Sequence, residues 1–276
     1  MYGFKPSVDR VPLGGVVSGG MEGVPGIKVS AGPLATSLDD IQLFMSTVLD
    51  AEPWKYDPTA FAAPWSPIDK DKPLTIGLLP EHPLFPLHPP VRRTVDAAVA
   101  TLQAKGHRIV RLENTPDRDV AAVNRLAFQY FTYAPLDQSP LTDSGEPLVT
   151  SVARFASPLF TGPLPVSDDL PVFDKIDQLH HARQTVADAW RKVFVAENLD
   201  VVLAPGAQNT AVPHDTFGWP PYTALWNVID VCAPSSFFLS DQTDVLVPRH
   251  HHPVRHCVQR GRSRTVPRPG RRAAFL

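Results

Sequence analysis

Apolar residues recur at helical spacing in four stretches of the chain and form short continuous runs in three others. The first helical stretch opens at Ser37. Ser37-Leu38-Asp39-Asp40 has the form of a capping box, with acids where the helix dipole is positive. Leu38, Ile41, Phe44, Met45, Val48 and Leu49 then share one face, which predicts an amphipathic helix packed inward through it. A second helix is predicted after Pro89 and Pro90, with Val91, Val95, Ala98, Val99 and Leu102 on its inner side and Gly106 placed to close it. A third covers 117–131, with Val120, Val123, Leu126, Ala127 and Tyr130 inward. A long fourth covers about 174–198, carrying Ile176, Leu179, Val186, Trp190, Val193 and Phe194 on its inner side.

The runs Leu74–Leu79, Arg108–Leu112 and Val201–Ala204 read as buried strands. Strand, helix and strand within 74–112 make a βαβ-like unit, which favours a sheet covered by helices. The 201–204 strand ends at Pro205-Gly206, and strand ends of this kind are where open α/β sheets place ligands. Residues 1–33 read as strand fragments and tight loops. Residues 51–73, with five prolines, and 134–171 read as long connections, which compact domains keep mainly for function.

Composition changes this picture at one end. The 276 residues carry a formal charge of −2, but residues 249–276 hold eight Arg, four His and no acid, leaving residues 1–248 at −10. An acidic body is thus joined to a basic tail with no hydrophobic period, expected to be disordered. Eight arginines could bind nucleic acid or an anionic membrane by counterion release. No aromatic interleaving or helix-turn-helix pattern accompanies them, so a nucleic-acid partner is not expected. Proline, at 31 residues, is about twice its usual share, which accounts for the long connections. Cys232 and Cys257 make no disulfide framework. No run spans a membrane and the first residues have no signal-peptide core, so a soluble, cytoplasmic protein is expected.

Candidate chemistry is sparse. There is no G-x-S-x-G elbow, P-loop, H-E-x-x-H or C-x-x-C. Gly14-Gly15 and Gly19-Gly20 read as turns. His180-His181 are helix neighbours pointing about 100° apart and read as solvated. His214-Asp215 is either an orienting pair or an Asx turn. The His250–Cys257 cluster has metal-ligand residue types without a metal site's spacing, so no metal is expected.

One resemblance goes further. Tyr2-Gly3-Phe4-Lys5-Pro6-Ser7-Val8-Asp9-Arg10-Val11-Pro12 resembles the segment that follows the nucleophile in the amidase signature family. Ser30-Ala31-Gly32-Pro33-Leu34-Ala35-Thr36-Ser37-Leu38-Asp39-Asp40 resembles a later stretch of that family, in which Gly-Pro precedes small residues and a helix. The strand near Ile76-Gly77, the helix of 91–102, Gly106–Val110, Val201–Pro205 and Tyr222–Asp230 follow the family's order, most closely that of fungal acetamidase-like members.

The resemblance implies an α/β fold: part of an amidase-signature α/β/α sandwich, a mixed β-sheet covered by helices. It implies a Ser–Ser–Lys hydrolase of small carboxamides that needs no cofactor and has its triad upstream of Met1. No catalytic residue is then expected within the chain, and Lys5 and Ser7 belong to a structural strand. Ser30, Gly32 and Pro33 are the expected substrate-pocket residues. Residues 1–230 would form the amidase-type portion and 231–276 an unrelated tail. The loss of pattern near residue 231 suggests a reading-frame change or unspliced segment, which sequencing the transcript across codon 231 decides. The alternatives are a non-catalytic binding module and a truncated product without function.

Overall fold

The computed structural model describes residues 1–16, 26–65, 72–133, 143–145, 147, 164–215, 221–231 and 233–236. The described chain forms β1 (Tyr2–Lys5), β2 (Leu34–Ala35), α1 (Leu38–Asp50), β3 (Thr75–Leu78), α2 (Pro89–Ala104), β4 (Arg108–Arg111), α3 (Val120–Tyr133), α4 (Val172–Ala196), β5 (Val201–Leu203), α5 (Pro221–Val228) and β6 (Ala233–Ser236). The class is α/β, with parallel and antiparallel pairing in two separate three-stranded sheets.

The first sheet has the order β4-β3-β5 and is parallel throughout. Ile76 stands opposite Ile109 on one side and Val201 on the other. The β3–α2–β4 crossover is the βαβ unit expected from the pattern. Ala98, Val99 and Leu102 are the buried residues of α2, and Leu102 joins Leu74 and Ile76 in a core between helix and sheet. Gly106, at φ +86°, supplies the left-handed turn that ends the crossover helix. On the other side α3, α4 and α5 enclose the main core. Its centre holds Trp190, edge-on to Trp226 at 5.2 Å, with Leu179, Tyr222 and Leu225 almost fully buried.

The second sheet has the order β2-β1-β6 and is antiparallel. α1 covers it through Ile41, Met45 and Leu49, which pack with Phe4. Ser37 caps this helix by accepting from the Asp40 N–H at 3.1 Å. Phe44 departs from expectation: it is 38% exposed. At 100° per residue it lies at the margin of a stripe centred on Ile41, Met45 and Leu49, and the narrow two-strand surface of β1 and β2 does not reach it. β6 runs past the boundary at residue 230 drawn from the sequence pattern, since Ala233–Ser236 pairs along all of β1. The described part of the 51–73 connection, 51–65, is tethered. It contains a 3₁₀ turn at Pro53–Lys55, and the Asp57 carboxylate accepts from the Gly14 N–H at 2.9 Å and from the Thr59 N–H and hydroxyl. Most of 134–171, Gly19-Gly20 and residues 237–276 with their histidine cluster lie outside the described residues.

Candidate functional site

The three expected pocket residues come together against β1. After 26–29 the chain folds back so closely that a Cβ on Gly32 would lie 1.9 Å from the Phe4 carbonyl oxygen and 2.7 Å from Pro6 Cδ. No side chain fits there. The same approach lets the Phe4 N–H donate to the Pro33 carbonyl at 3.0 Å, and the Ser30 hydroxyl donate to the Pro6 carbonyl at 2.9 Å. Lys5 Nζ donates to that same Pro6 oxygen at 3.1 Å. These contacts of Ser30, Gly32 and Pro33 are with backbone and the Pro6 ring, and they fix the position of the segment rather than activate any group.

Charges gather beside this segment. Lys28 pairs with Asp9 at 2.6 Å. Arg183, on α4, donates through Nε to the Val228 carbonyl at 2.6 Å, through a terminal nitrogen to the Gly26 carbonyl at 3.0 Å, and to the Asp230 carboxylate at 2.5 Å. One guanidinium thus ties the end of α5 to the start of the segment that carries Ser30. Burial pushes the Asp230 carboxyl up; Arg183, Lys5 and Lys28 pull it down and Asp9 opposes them. Burial outweighs the cations, and Asp230 Oδ1 has no hydrogen-bond partner. Asp9 and Asp230 both adopt left-handed backbone, at φ 63° and 56°, which Asp tolerates better than most residues. Burial also raises the Tyr130 hydroxyl to about 12, against the opposing field of Arg183.

A second polar centre lies on the parallel-sheet side. His82 is 6% exposed, and its Nδ1 accepts from the Leu84 N–H at 3.2 Å. That leaves Nε2 to carry the proton and donate to Asp119 at 2.8 Å. Burial pushes Asp119 up, but the Ala122 N–H, Asn114 and His82 outweigh it and hold the carboxyl below its ordinary range. Tyr222 completes the centre: its oxygen accepts from the His82 N–H at 3.0 Å and its hydroxyl donates to the Phe85 carbonyl at 2.8 Å. Every ring nitrogen of His82 is engaged, so the centre fastens the 80–88 connection onto α3 and α5 and has no group left to act as a base.

The other histidines follow the expectations made for them in part. His181 is exposed, while His180 is half-buried and edge-on to Tyr130 at 6.0 Å. Asp215, beside His214, has φ 62°, as a turn residue would. Gly15, at φ +78°, forms the expected turn. Among the described residues no group of three or more His, Cys, Asp or Glu could hold a metal ion, and no helix is long and apolar enough to cross a membrane.

A model of the Amidase family matches residues 1–152, which include β1, the segment with Ser30, Gly32 and Pro33, and the whole βαβ unit. The chain belongs to the amidase family. This amidase chain is 34% identical over 241 residues to a protein named Amidase from Gibberella moniliformis, covering 86% of this chain and 43% of that one. It is 30% identical to an Acetamidase from Aspergillus oryzae, covering 83% and 43%. In three dimensions it overlays on fatty acid amide hydrolase with a TM-score of 0.70 at 24% identity, covering 84% of this chain and 40% of that one. A bacterial aryl acylamidase of the amidase signature enzymes gives a TM-score of 0.55 at 17% identity. The amidase chain spans less than half the length of the curated relatives it matches.

Arg183, Asp57 and the His82–Asp119 pair carry no mark in the sequence. The partners are far apart in the chain, and none of the residues has a period that would mark it. Asp9 and Asp230 carry a signal only as members of the stretches Tyr2–Pro12 and Tyr222–Asp230 that resemble the family.

Proposed function

We propose that this chain is the part of an amide hydrolase that lies beyond its nucleophile, supplying one wall of the substrate pocket without supplying the catalytic triad. The observation that supports this most is the seating of Ser30, Gly32 and Pro33 on β1, inside the segment matched to the Amidase family. On this reading these three residues border a small carboxamide. The chemistry is a Ser–Ser–Lys hydrolysis. The nucleophilic serine gives its proton through the second serine to the neutral lysine as its oxygen bonds to the carboxamide carbon, backbone N–H groups hold the resulting oxyanion, and the carbon–nitrogen bond then breaks as the amine takes that proton back along the same relay. Water then cleaves the acyl ester and restores the serine. The names Amidase and Acetamidase among the relatives favour a small amide as substrate.

Lys5 and Ser7 are not the triad on this reading, because Lys5 Nζ is committed to the Pro6 carbonyl. The amidase-type portion reaches through β6, and the rest of the basic tail is unrelated to it. The full-length hydrolase to which this chain corresponds acts in the cytoplasm on small molecules, with no nucleic-acid or membrane partner. The test is release of ammonia from acetamide and benzamide by purified 1–276. No release above the protein-free rate is expected. Release that persists in Lys5→Ala and Ser7→Ala would place a triad elsewhere in this chain and refute the proposal.

A further inference from the structure

Residues 26–33 include the proposed pocket residues, yet they belong to no helix or strand. Their path is set at two ends. At Ser30, Gly32 and Pro33 the segment is seated on β1. At the other end it meets the helical half of the molecule. Ile27 packs against the main core, and the Gly26 carbonyl accepts from Arg183 at 3.0 Å. The Arg183 side chain is 15% exposed, so its charge has largely left water and needs a full set of acceptors.

The three acceptors are there for different reasons. Val228 ends α5, where helix carbonyls lack intrahelical donors, and Nε of Arg183 supplies one. Asp230 supplies the countercharge. A lysine would serve either of these. The Gly26 carbonyl belongs to neither place and lies 157 residues from Arg183 in the chain. A rigid planar fork reaches it together with the other two, which a single ammonium nitrogen cannot do. We infer that Arg183 is a positioning residue of the pocket wall: its fork fixes Gly26 against the end of α5 and so sets where Ser30, Gly32 and Pro33 face the substrate. The inference rests on the proposed function for what that wall borders, and not for whether Arg183 holds it.

Trypsin tests the hold on purified 1–276. Lys28 lies two residues past Gly26 and is exposed, so the rate of cutting after it reports how often the segment lifts away. Cutting after Arg111, at the end of β4, is the reference for opening of the whole fold. Arg183→Lys keeps a cation beside Asp230 but gives up the fork. The rate at Lys28 relative to that at Arg111 should rise about tenfold, as expected for the loss of a hydrogen bond from a charged donor. Asp230→Asn retains the fork, and its ratio should stay at the wild-type value. An unchanged ratio in Arg183→Lys means that charge alone suffices and overturns the inference. So does a rise of both cuts together, which marks a general structural role, or an equal rise of the ratio in Asp230→Asn.

A second arm reads the pocket. In the Gibberella moniliformis Amidase carrying this chain's residues over the matched stretch, Arg183→Lys should raise KM for acetamide about fivefold and leave kcat within about twofold. An unchanged KM beside a raised cleavage ratio overturns the assignment to the pocket wall. A chimera already inactive with Arg183 in place counts against the proposed function, and the cleavage ratio still decides whether Arg183 holds the segment.

Discussion

The two sheets are held together by different means. The parallel sheet sits between α2 and the α3–α4–α5 group, and its coherence comes from continuous apolar burial around Ile76, Leu102 and Trp190. The antiparallel sheet has a small core of four buried residues on α1 and β1. Its remaining cohesion comes from individual contacts: Gly32 against Phe4, Ser30 on Pro6, Asp57 on Gly14 and Arg183 on Gly26, Val228 and Asp230. A region built on area tolerates the loss of any one polar contact. A region built on contacts is placed accurately but depends on each of them, which agrees with the pocket-bordering role proposed for its segment better than with a role as scaffold.

The largest expected effect tests the first half of that contrast. Trp190→Ala removes the centre of the main core and should cost about 4 kcal/mol, lowering the whole thermal transition rather than one part of it. Gly32→Ala comes next, at about 3 kcal/mol, because backbone rather than a flexible side chain stands where the methyl would go. Hydrogen exchange should show the loss at β1 and β2 while β3 and β4 keep their protection. Uniform loss of protection in both sheets would erase the distinction. Arg183→Met leaves the Asp230 carboxylate without its main partner; with that side chain 28% exposed, solvent limits the cost to about 2 kcal/mol.

Acid and base should separate the two regions by sign. Asp119 is held below its ordinary range, so its contribution is present above about pH 4 and fades as pH falls through its depressed folded value. Asp230 is held above that range, so its contribution is present in acid and fades as pH rises through its raised value. Asp119→Asn should therefore lose about 1 kcal/mol at neutral pH and little in acid. Asp230→Asn, which keeps an acceptor for Arg183 and tolerates the left-handed backbone, should lose little at neutral pH and more in acid. Denaturant midpoints measured across pH check both; parallel profiles for the two variants would contradict the assigned causes.

The same contrast explains what could be read from the sequence. The parallel region was legible because its signals are local. Val120, Val123, Leu126, Ala127 and Tyr130 repeat within one helix, and Thr75–Leu78 is a continuous run. Helix ends shifted by two or three residues, the ordinary spread at frayed termini. In the antiparallel region the period showed α1, but the contacts of the 26–35 segment were legible only through its resemblance to a family, because what Gly32 requires is the position of Phe4, and what Arg183 holds lies 157 residues away at Gly26. No periodicity records such a pairing. β6 escaped for a related reason: Ala233-Pro234-Ser235-Ser236 has no strand composition, and its place is set by pairing with β1. Phe44 was misplaced because helical spacing defines a face but not the width of the surface that receives it.

The central claim, the function proposed above, is that the amidase-type portion through β6 forms the pocket wall of an amide hydrolase whose triad lies elsewhere. The most direct measurement replaces the 241-residue matched stretch of the Gibberella moniliformis Amidase with the corresponding residues of this chain and follows ammonia release from acetamide. The account predicts a folded chimera that hydrolyses the amide and loses that activity on Gly32→Ala. A chimera that folds as the parent does, shows the parent's sedimentation, and releases no ammonia would contradict it.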